Sequence, residues 1–234
     1  AEECRKLKIF LQQECGVAHI PFSETASIGI KPMSKEGSQR LVHAAIDYAR
    51  ATQRQVVTLV HKGNIMKFTE GRFRDWGYDI ARQSFGDAVV CDSDLQDNPH
   101  KEAVLAEALA AGKIVVNDCI ADNFFQQALL NPAQFSVVAC PNLNGDFVSD
   151  ALAAQVGGLG LAPGANINYE NGYGLFEATH GTAPTIVGQN KANPAAMLLS
   201  VCMMLTYLKW DKAARTLRTA LKEAFKNGHV TTDL

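Results

Sequence analysis

Two acidic residues stand four positions apart in the stretch NLNGDFVSDALAAQVGG, a pattern typical of a helix. This spacing places the carboxylates of Asp146 and Asp150 on one helix face, one turn apart. Two like charges in this arrangement repel each other, whereas oxygen ligands in close array suit Mg²⁺ or Mn²⁺. The pair is therefore a candidate site for a divalent cation. The alternative is an acidic first turn, which the helix dipole favours without a bound ligand.

Two more charged residues come shortly after apolar stretches that should be strands. Lys62 follows QVVTLVH, Asp122 comes after KIVVND, and the aspartate pair comes after FSVVACPN. Loops at strand ends gather ligands in α/β proteins. Three carboxylates could hold a cation, and a lysine near that cation could lose its proton and act as a base. Taken singly, Lys62 could be a surface lysine and Asp122 a helix cap.

The composition argues against several classes of partner and site. The chain has 234 residues, a formal net charge of −2 and an apolar fraction of 47%, which gives no support for a nucleic-acid or membrane partner. Its six cysteines are scattered without a CxxC motif, a pattern typical of reduced thiols in a cytoplasmic protein. The longest apolar stretch, AAMLLSVCMMLTYL, is too short to cross a bilayer and predicts a buried or interface helix.

Strands alternate with helices along the chain, which predicts an α/β fold. Turn and cap residues predict four local features of this fold. IPFSETASIGIKP should form a hairpin, Ser34 should cap a helix, Asn98 and Pro99 should begin another, and LGLAPGANINYENGYG should be a loop region. Gly157-Gly158 is the best candidate for a domain boundary.

Four long motifs in the chain also match a known family. They are HKGNIMKFTEGRFRDWGY, IADNFFQQALLNPAQF, NLNGDFVSDALAAQVGGLGLAPGAN and LFEATHGTAP. Together they resemble the bacterial-type isocitrate dehydrogenases, which belong to the isocitrate/isopropylmalate dehydrogenase family. The resemblance extends over almost the whole chain except residues 92–112. The first motif is more similar to isocitrate than to isopropylmalate enzymes.

The resemblance implies a fold and a division into parts. The fold would be the α/β fold of this family, which is not a Rossmann fold, and the chain has no GxGxxG motif. Residues 1–34 would form a clasp segment between subunits, and residues 35–156 a small α/β domain with the metal and catalytic residues. Residues 157–234 would be part of a large cofactor-binding domain.

The resemblance also implies roles for the charged residues. Asp146 and Asp150 would bind Mg²⁺ or Mn²⁺ in one subunit of a homodimer, and Asp122 would come from the other subunit. Lys62, also from the other subunit, would remove the proton of the substrate hydroxyl. Hydride transfer to a nicotinamide and loss of CO₂ would then convert isocitrate to 2-oxoglutarate, a step of the tricarboxylic acid cycle.

The cofactor would contact a larger set of residues. Taken by itself, His180 could equally have a structural role, but its place in LFEATHGTAP favours stacking against the adenine. The implied cofactor-binding residues are Asn64, Gln126, Gln127, Gly160, Glu177, His180, Gly181, Ala183, Thr185, Ile186, Asn193 and Thr232. NADP-using members carry Lys-Tyr after HGTAP and a tyrosine near the C-terminal strand, where this chain has Thr185, Ile186 and Thr232. A 2′-phosphate needs a cation or several donors, so these residues favour NAD over NADP.

Parts that the family needs for catalysis have no counterpart in these 234 residues. They include the serine loop and arginines that bind the substrate carboxylates, and a general-acid tyrosine. We therefore expect a fragment of a full enzyme that is inactive alone. Two alternatives stay open: a non-catalytic regulatory or assembly subunit, or the same chemistry on homoisocitrate or isopropylmalate. Lys62 and the three aspartates favour a catalytic origin.

Overall fold

A four-stranded parallel sheet organises the first two thirds of the chain, in a computed structural model that describes residues 2–234. The strands along the chain are β1 (Val56–His61), β2 (Val89–Cys91), β3 (Ile114–Ile120), β4 (Val137–Ala139), β5 (Pro163–Ile167) and β6 (Gly174–Ala178). The order in the main sheet is β2-β3-β1-β4, and all neighbouring strands are parallel. Their carboxyl ends therefore meet at one edge of the sheet.

Helices cover both faces of this sheet. The described residues contain α1 (Glu2–Gln13), α2 (Lys35–Ala51), α3 (Glu70–Phe85), α4 (Lys101–Ala110), α5 (Ala121–Leu130), α6 (Asn142–Gln155), α7 (Ala195–Tyr207) and α8 (Asp211–Lys226). On one face, Val42 and Ile46 of α2 pack with Leu59 of β1. On the other face, Phe124 of α5 and Val148 of α6 lie in a second buried cluster. β1 is buried from its second residue to its end because both of its faces are covered.

The remaining strands form a separate antiparallel pair on which α7 packs. β5 pairs with β6 in a register that sets Ala165 opposite Phe176. Ser200 of α7 is fully buried and connects the helix to this ribbon. Its hydroxyl donates to the carbonyl of Glu177 at 2.7 Å and accepts from the N–H of Gly164 at 3.2 Å. This fixes β6, whose end leads into the HGTAP segment.

The α/β prediction is confirmed, and so is the cap at Ser34, whose hydroxyl accepts from the N–H of Gly37. The hairpin at residues 20–32 is wrong: the described structure has turns there and no strand. Phe22 and Ile30 are 85% and 78% exposed, so this segment does not pack against a core. An isolated two-stranded ribbon is only marginally stable without such packing.

Two other local predictions also need correction. The side chain of Asn98 accepts from the N–H of His100 in a turn, so α4 begins at Lys101 and not at Pro99. Residues 163–167 form strand β5 within the stretch expected to be a loop. Pairing with β6 and packing against α7 outweigh the weak strand preference of glycine and asparagine.

The structure agrees with the predictions for the cysteines and for the apolar helix. All six cysteines, which lie among the described residues, are free thiols. The apolar stretch after Pro194 forms α7, and its residues Ala195, Ala196 and Cys202 are buried. Over residues 2–234, no helix has the length and apolar character needed to cross a membrane. The domain boundaries at residues 34 and 156 and the cytoplasmic location stay predictions.

Candidate active site

Lys62 and Asp122 meet at the carboxyl edge of the main sheet. Lys62 directly follows β1, and Asp122 is the second residue of α5, which directly follows β3. β1 and β3 are neighbours, and His61 lies opposite Ile120 in their register. The Nζ of Lys62 forms an ion pair with the Oδ2 of Asp122. The hydrogen bond from Lys62 lowers the pKa of the Asp122 carboxyl, so this carboxylate stays ionised.

A buried polar network lies next to this pair. The N–H of Gly63 donates to Nδ1 of His61 at 2.9 Å, so Nε2 carries the proton and donates to Oδ2 of Asp118 at 3.0 Å. The hydroxyl of Tyr78 donates to the other oxygen of Asp118 at 2.7 Å. The network connects the last residue of β1 with β3 and so fixes the relative positions of Lys62 and Asp122.

The protonation of this network follows from its contacts. Burial alone would raise the pKa of Asp118, but the hydrogen bonds from His61 and Tyr78 and the charge of Arg74 outweigh it. The pKa of Asp118 therefore lies below its usual value. Burial and the neighbouring charge of Asp118 raise the pKa of Tyr78 far above its usual value. Tyr78 is thus a permanent donor to an ionised carboxylate.

Replacing Tyr78 with phenylalanine should lower the free energy of unfolding by about 1.5–3 kcal/mol at neutral pH, because a hydrogen bond to a charged group is lost. Urea denaturation measures this loss. Asp118 has a lowered pKa, so its contribution is present above the usual carboxyl pKa and disappears as the pH falls through the lowered pKa. The difference between the variant and the wild type should therefore shrink in acid.

Tyr48→Phe is the matched control for this prediction. Tyr48 lies on α2 with 55% of its surface exposed, and no side-chain hydrogen bond from its hydroxyl occurs among residues 2–234. Its replacement should change the free energy of unfolding by less than about 0.5 kcal/mol, as is usual for surface substitutions. Equal losses in both tyrosine variants would contradict the role given to the Asp118 network.

Asp146 and Asp150 lie together on the exposed face of α6. α6 begins at Asn142, so Asp146 is its fifth residue and the first turn of this helix contains no acidic residue. The explanation by an acidic first turn is therefore wrong. Within the described chain, neither carboxylate has a hydrogen-bond or ion-pair partner. Two such oxygen donors one turn apart suit Mg²⁺ or Mn²⁺.

Asp122 does not join this pair within one chain. Among residues 2–234, no group of three or more histidine, cysteine, aspartate or glutamate side chains is close enough to hold a metal ion. The carboxylate of Asp122 instead contacts Lys62. A third protein ligand for a cation at the aspartate pair on α6 would therefore have to come from outside this arrangement.

Several of the residues implied to bind the cofactor lie in the HGTAP segment and just before it. Glu177 of β6 accepts a hydrogen bond from Asn166 at 3.0 Å. His180 is exposed, and its Nδ1 lies 2.9 Å from the carbonyl of Gly181. Ala183 has a φ of 44°, in the left-handed region that is rare for alanine. Thr185 and Ile186 follow in a short 3₁₀ turn.

A second group of predicted cofactor residues lies around Asp233. Asn193 donates to the carboxylate of Asp233 at 3.0 Å. A Cβ added to Gly160 would lie 2.9 Å from Asp233 and 3.0 Å from Asn193. A side chain at position 160 would therefore require Asp233 and Asn193 to shift. Thr232 lies exposed next to Asp233, so Gly160, Asn193 and Thr232 belong to one surface region.

The last three cofactor candidates lie in the loop after β1 and on α5, which follows β3. Asn64 is exposed two residues after Lys62, and Gln126 is exposed on α5. Gln127 is partly engaged within the chain, because its side-chain oxygen accepts from Asn131 at 2.9 Å and from Gln134 at 3.3 Å. In the described residues, no hydrogen bond connects these three with the HGTAP segment.

The sequence patterns did not point to three polar residues of this site, two of which are buried. Glu70, His61 and Asp118 were not among the site residues predicted from the sequence. Glu70 is 1% exposed and His61 is 1% exposed. Polar residues at buried positions of a core strand, such as His61 in QVVTLVH, are the available signal, because such groups are rarely buried without a partner.

Comparison with known proteins now decides the family. The family model described as isocitrate/isopropylmalate dehydrogenase matches residues 9–234. The chain belongs to this family. Isocitrate dehydrogenase (NADP) of Staphylococcus aureus strain MSSA476 is 53% identical over 237 residues, covering 99% of this chain and 56% of that protein. The Streptococcus salivarius enzyme of the same name is 54% identical over 225 residues, covering 96% and 52%.

A solved structure supports the fold of this family member. The crystal structure of isocitrate dehydrogenase from Methylococcus capsulatus matches 92% of this chain with a TM-score of 0.75 and 35% sequence identity. The match covers 56% of that chain. The predicted family fold is thus confirmed. The chain spans just over half the length of the curated relatives and of this structure.

The prediction of NAD as the cofactor is wrong. The curated relatives compared with this family member, from Staphylococcus and Streptococcus species, are named for NADP. Neutral residues at Thr185, Ile186 and Thr232 do not exclude a 2′-phosphate, because hydroxyl and backbone N–H groups also donate to phosphate oxygens. Lys191, five positions after Ile186 in the sequence, is a cation that the prediction did not consider.

Proposed function

We propose that this chain carries the base and the metal-binding residues of an NADP-dependent isocitrate dehydrogenase. The observation that carries the proposal is the placement of Lys62 beside Asp122 at the ends of neighbouring strands, in a member of this family. The names of the relatives, at 53–54% identity, support isocitrate as the substrate and NADP as the cofactor.

Each charged residue has a defined part in the proposed reaction. Asp146 and Asp150 hold Mg²⁺ or Mn²⁺ through carboxylate oxygens that are exposed. When bound, the cation acidifies the substrate hydroxyl and stabilises negative charge on its oxygen. Lys62 accepts the hydroxyl proton in its neutral form. Its ammonium group must first leave the ion pair with Asp122 and release a proton to solvent, because only the neutral amine has a free lone pair.

A homodimer with shared active sites completes this proposal. Within one chain, the pair on α6 lacks a third acidic ligand, and a second copy can supply one as the partner's Asp122. Leu143 and Phe147, on the same helix as the aspartates, are 53% and 56% exposed. Exposed apolar side chains beside an incomplete set of metal ligands support a subunit contact at this surface.

Steady-state kinetics on the full-length protein test the proposed reaction. With Mn²⁺ present, isocitrate should reduce NADP with a higher kcat/KM than NAD. Homoisocitrate and isopropylmalate should give kcat/KM values lower by a factor of ten or more. No turnover of any of these substrates would support the alternative, a non-catalytic regulatory subunit, and would contradict the proposal. A higher kcat/KM with another 2-hydroxy acid would contradict isocitrate as the substrate.

A further inference from the structure

The carboxylate of Glu70 connects three segments around the candidate active site. Glu70 is the first residue of α3 and only 1% of its surface is exposed. Lys31 forms an ion pair with its Oε1. Its Oε2 accepts from the backbone N–H of Lys62 and, at 2.9 Å, from the side-chain amide of Asn144. One buried charge therefore contacts the 30–34 segment, the loop of the base and helix α6.

Two of these three donors belong to the parts of the chain that carry the proposed chemistry. The N–H of Lys62 fixes the backbone from which the proposed base extends. Asn144 lies on α6 two residues before Asp146 and six before Asp150. A shift of Glu70 would therefore disturb both the loop of the base and the helix of the metal ligands, which serve different active sites of the proposed homodimer.

Close backbone packing makes this connection stiff. A Cβ added to Gly63 would lie 2.8 Å from the Cα and 3.0 Å from the N of Gly71, the second residue of α3. The loop after Lys62 is therefore in direct contact with the start of the helix that carries Glu70. The N–H of Gly71 also donates to the carbonyl of Met66 at 3.1 Å. The loop between β1 and α3 cannot move independently of Glu70.

The charge of Glu70 is maintained although the side chain is buried. Burial alone would raise the pKa of this carboxyl, but the hydrogen bonds from Lys31, Lys62 and Asn144 outweigh it and lower the pKa. An ionised carboxylate accepts from all three donors at once, whereas a glutamine in its place would turn an N–H₂ group toward one of them. The arrangement requires an anion at this position.

We propose that Glu70 is a positioning residue that holds both the loop of Lys62 and the metal-binding helix α6 in place, each for a different active site of the proposed homodimer. This inference rests on the proposed function. Partners that orient metal ligands change metal affinity or activity by about 10–100-fold when they are removed. Glu70 acts on both the base and the metal ligands, so its loss should affect both.

The main test is Glu70→Gln in the full-length protein. We expect Mn²⁺, measured by electron paramagnetic resonance, to bind about 10–100-fold more weakly. We also expect kcat at saturating Mn²⁺ and isocitrate to fall, with a shifted pH profile because the loop of Lys62 has moved. Glu107→Gln is the matched control, because Glu107 is an exposed residue on α4, a helix that carries none of the proposed site residues. Glu107→Gln should keep the wild-type Mn²⁺ affinity, kcat and pH profile.

Asn144→Ala separates the two connections and provides a test if Glu70→Gln does not fold. It removes only the contact with α6, so the Mn²⁺ dissociation constant should rise while kcat at saturating Mn²⁺ and its pH profile stay near the wild-type values. A residue with a purely structural role would lower the melting temperature without changing Mn²⁺ affinity. Wild-type Mn²⁺ affinity in Asn144→Ala would overturn the inference, as would wild-type Mn²⁺ affinity and kcat in a folded Glu70→Gln.

The same assay separates this inference from the proposed function. Asp146→Asn removes a proposed ligand directly and should weaken Mn²⁺ binding whatever Glu70 does. If Asp146→Asn binds Mn²⁺ like the wild type, the proposed metal site is wrong. If Asp146→Asn loses the ion but Glu70→Gln and Asn144→Ala do not, the site stands and only the positioning role is wrong.

Discussion

Replacing Lys62 with methionine should lower kcat for isocitrate oxidation by about 10²–10⁴-fold, the usual contribution of a positioned acid–base group. Methionine keeps the length and most of the apolar stem of lysine but cannot accept a proton. KM for isocitrate should change much less than kcat, because the lost group acts on the reacting hydroxyl in the transition state. Steady-state kinetics with saturating NADP and Mn²⁺ give both constants.

The loss should not come from unfolding. The side chain of Lys62 is 29% exposed and that of Asp122 is 69% exposed, and an ion pair at such a surface contributes only about 0–1 kcal/mol. Lys101→Met is the matched control, because Lys101 is 35% exposed and pairs with Asp92 at 2.8 Å. It should keep wild-type kcat. A Lys62→Met enzyme with a kcat within threefold of the wild type would exclude Lys62 as the base.

The strand ends of the main sheet could be predicted because their signal is local. QVVTLVH and KIVVND are short apolar runs that become β1 and β3; β1 is buried along most of its length and β3 in its first three residues. Parallel strands bring their carboxyl ends to one edge, so Lys62 and Asp122 come together although they are 60 positions apart. Two apolar runs and the connecting helices are sufficient for that prediction.

The polar contacts behind the site could not be predicted in this way. Glu70 and Asn144 are 74 positions apart and meet only because α3 and α6 begin next to each other. Nothing in the residues around Glu70 distinguishes it from a surface glutamate at the start of a helix, where the dipole favours an acidic side chain. Its burial depends on tertiary packing, and periodicity along the chain does not contain this information.

The wrong predictions have a related cause. The hairpin at residues 20–32 rested on β-propensity, which depends on a surface to pack against, and Phe22 and Ile30 have none in this chain. The choice of NAD rested on three side chains at Thr185, Ile186 and Thr232. Phosphate binding is a property of a surface with many donors, so three positions cannot decide it.

Asp146→Asn should weaken Mn²⁺ binding by more than about 100-fold, because removing even an outer partner of a ligand costs about 10–100-fold. Asparagine has the same shape as aspartate but no charge, so the change removes attraction for the cation without disturbing α6. Titration of the metal-free protein with Mn²⁺ measures the affinity directly. At low Mn²⁺ the variant should be almost inactive, and high Mn²⁺ should restore part of the activity.

The same substitution should have the opposite effect on the metal-free protein. Two like charges at this helical spacing destabilise by about 0.2–0.5 kcal/mol, so Asp146→Asn should slightly increase the free energy of unfolding without Mn²⁺. Mn²⁺ should raise the melting temperature of the wild type more than that of the variant, because a ligand stabilises only the state that binds it. Asp87→Asn, at an exposed aspartate outside the site, should show neither effect. A pair that destabilises the free protein and stabilises the Mn²⁺ complex is explained by metal binding, whereas an acidic surface without a ligand would show no such change of sign.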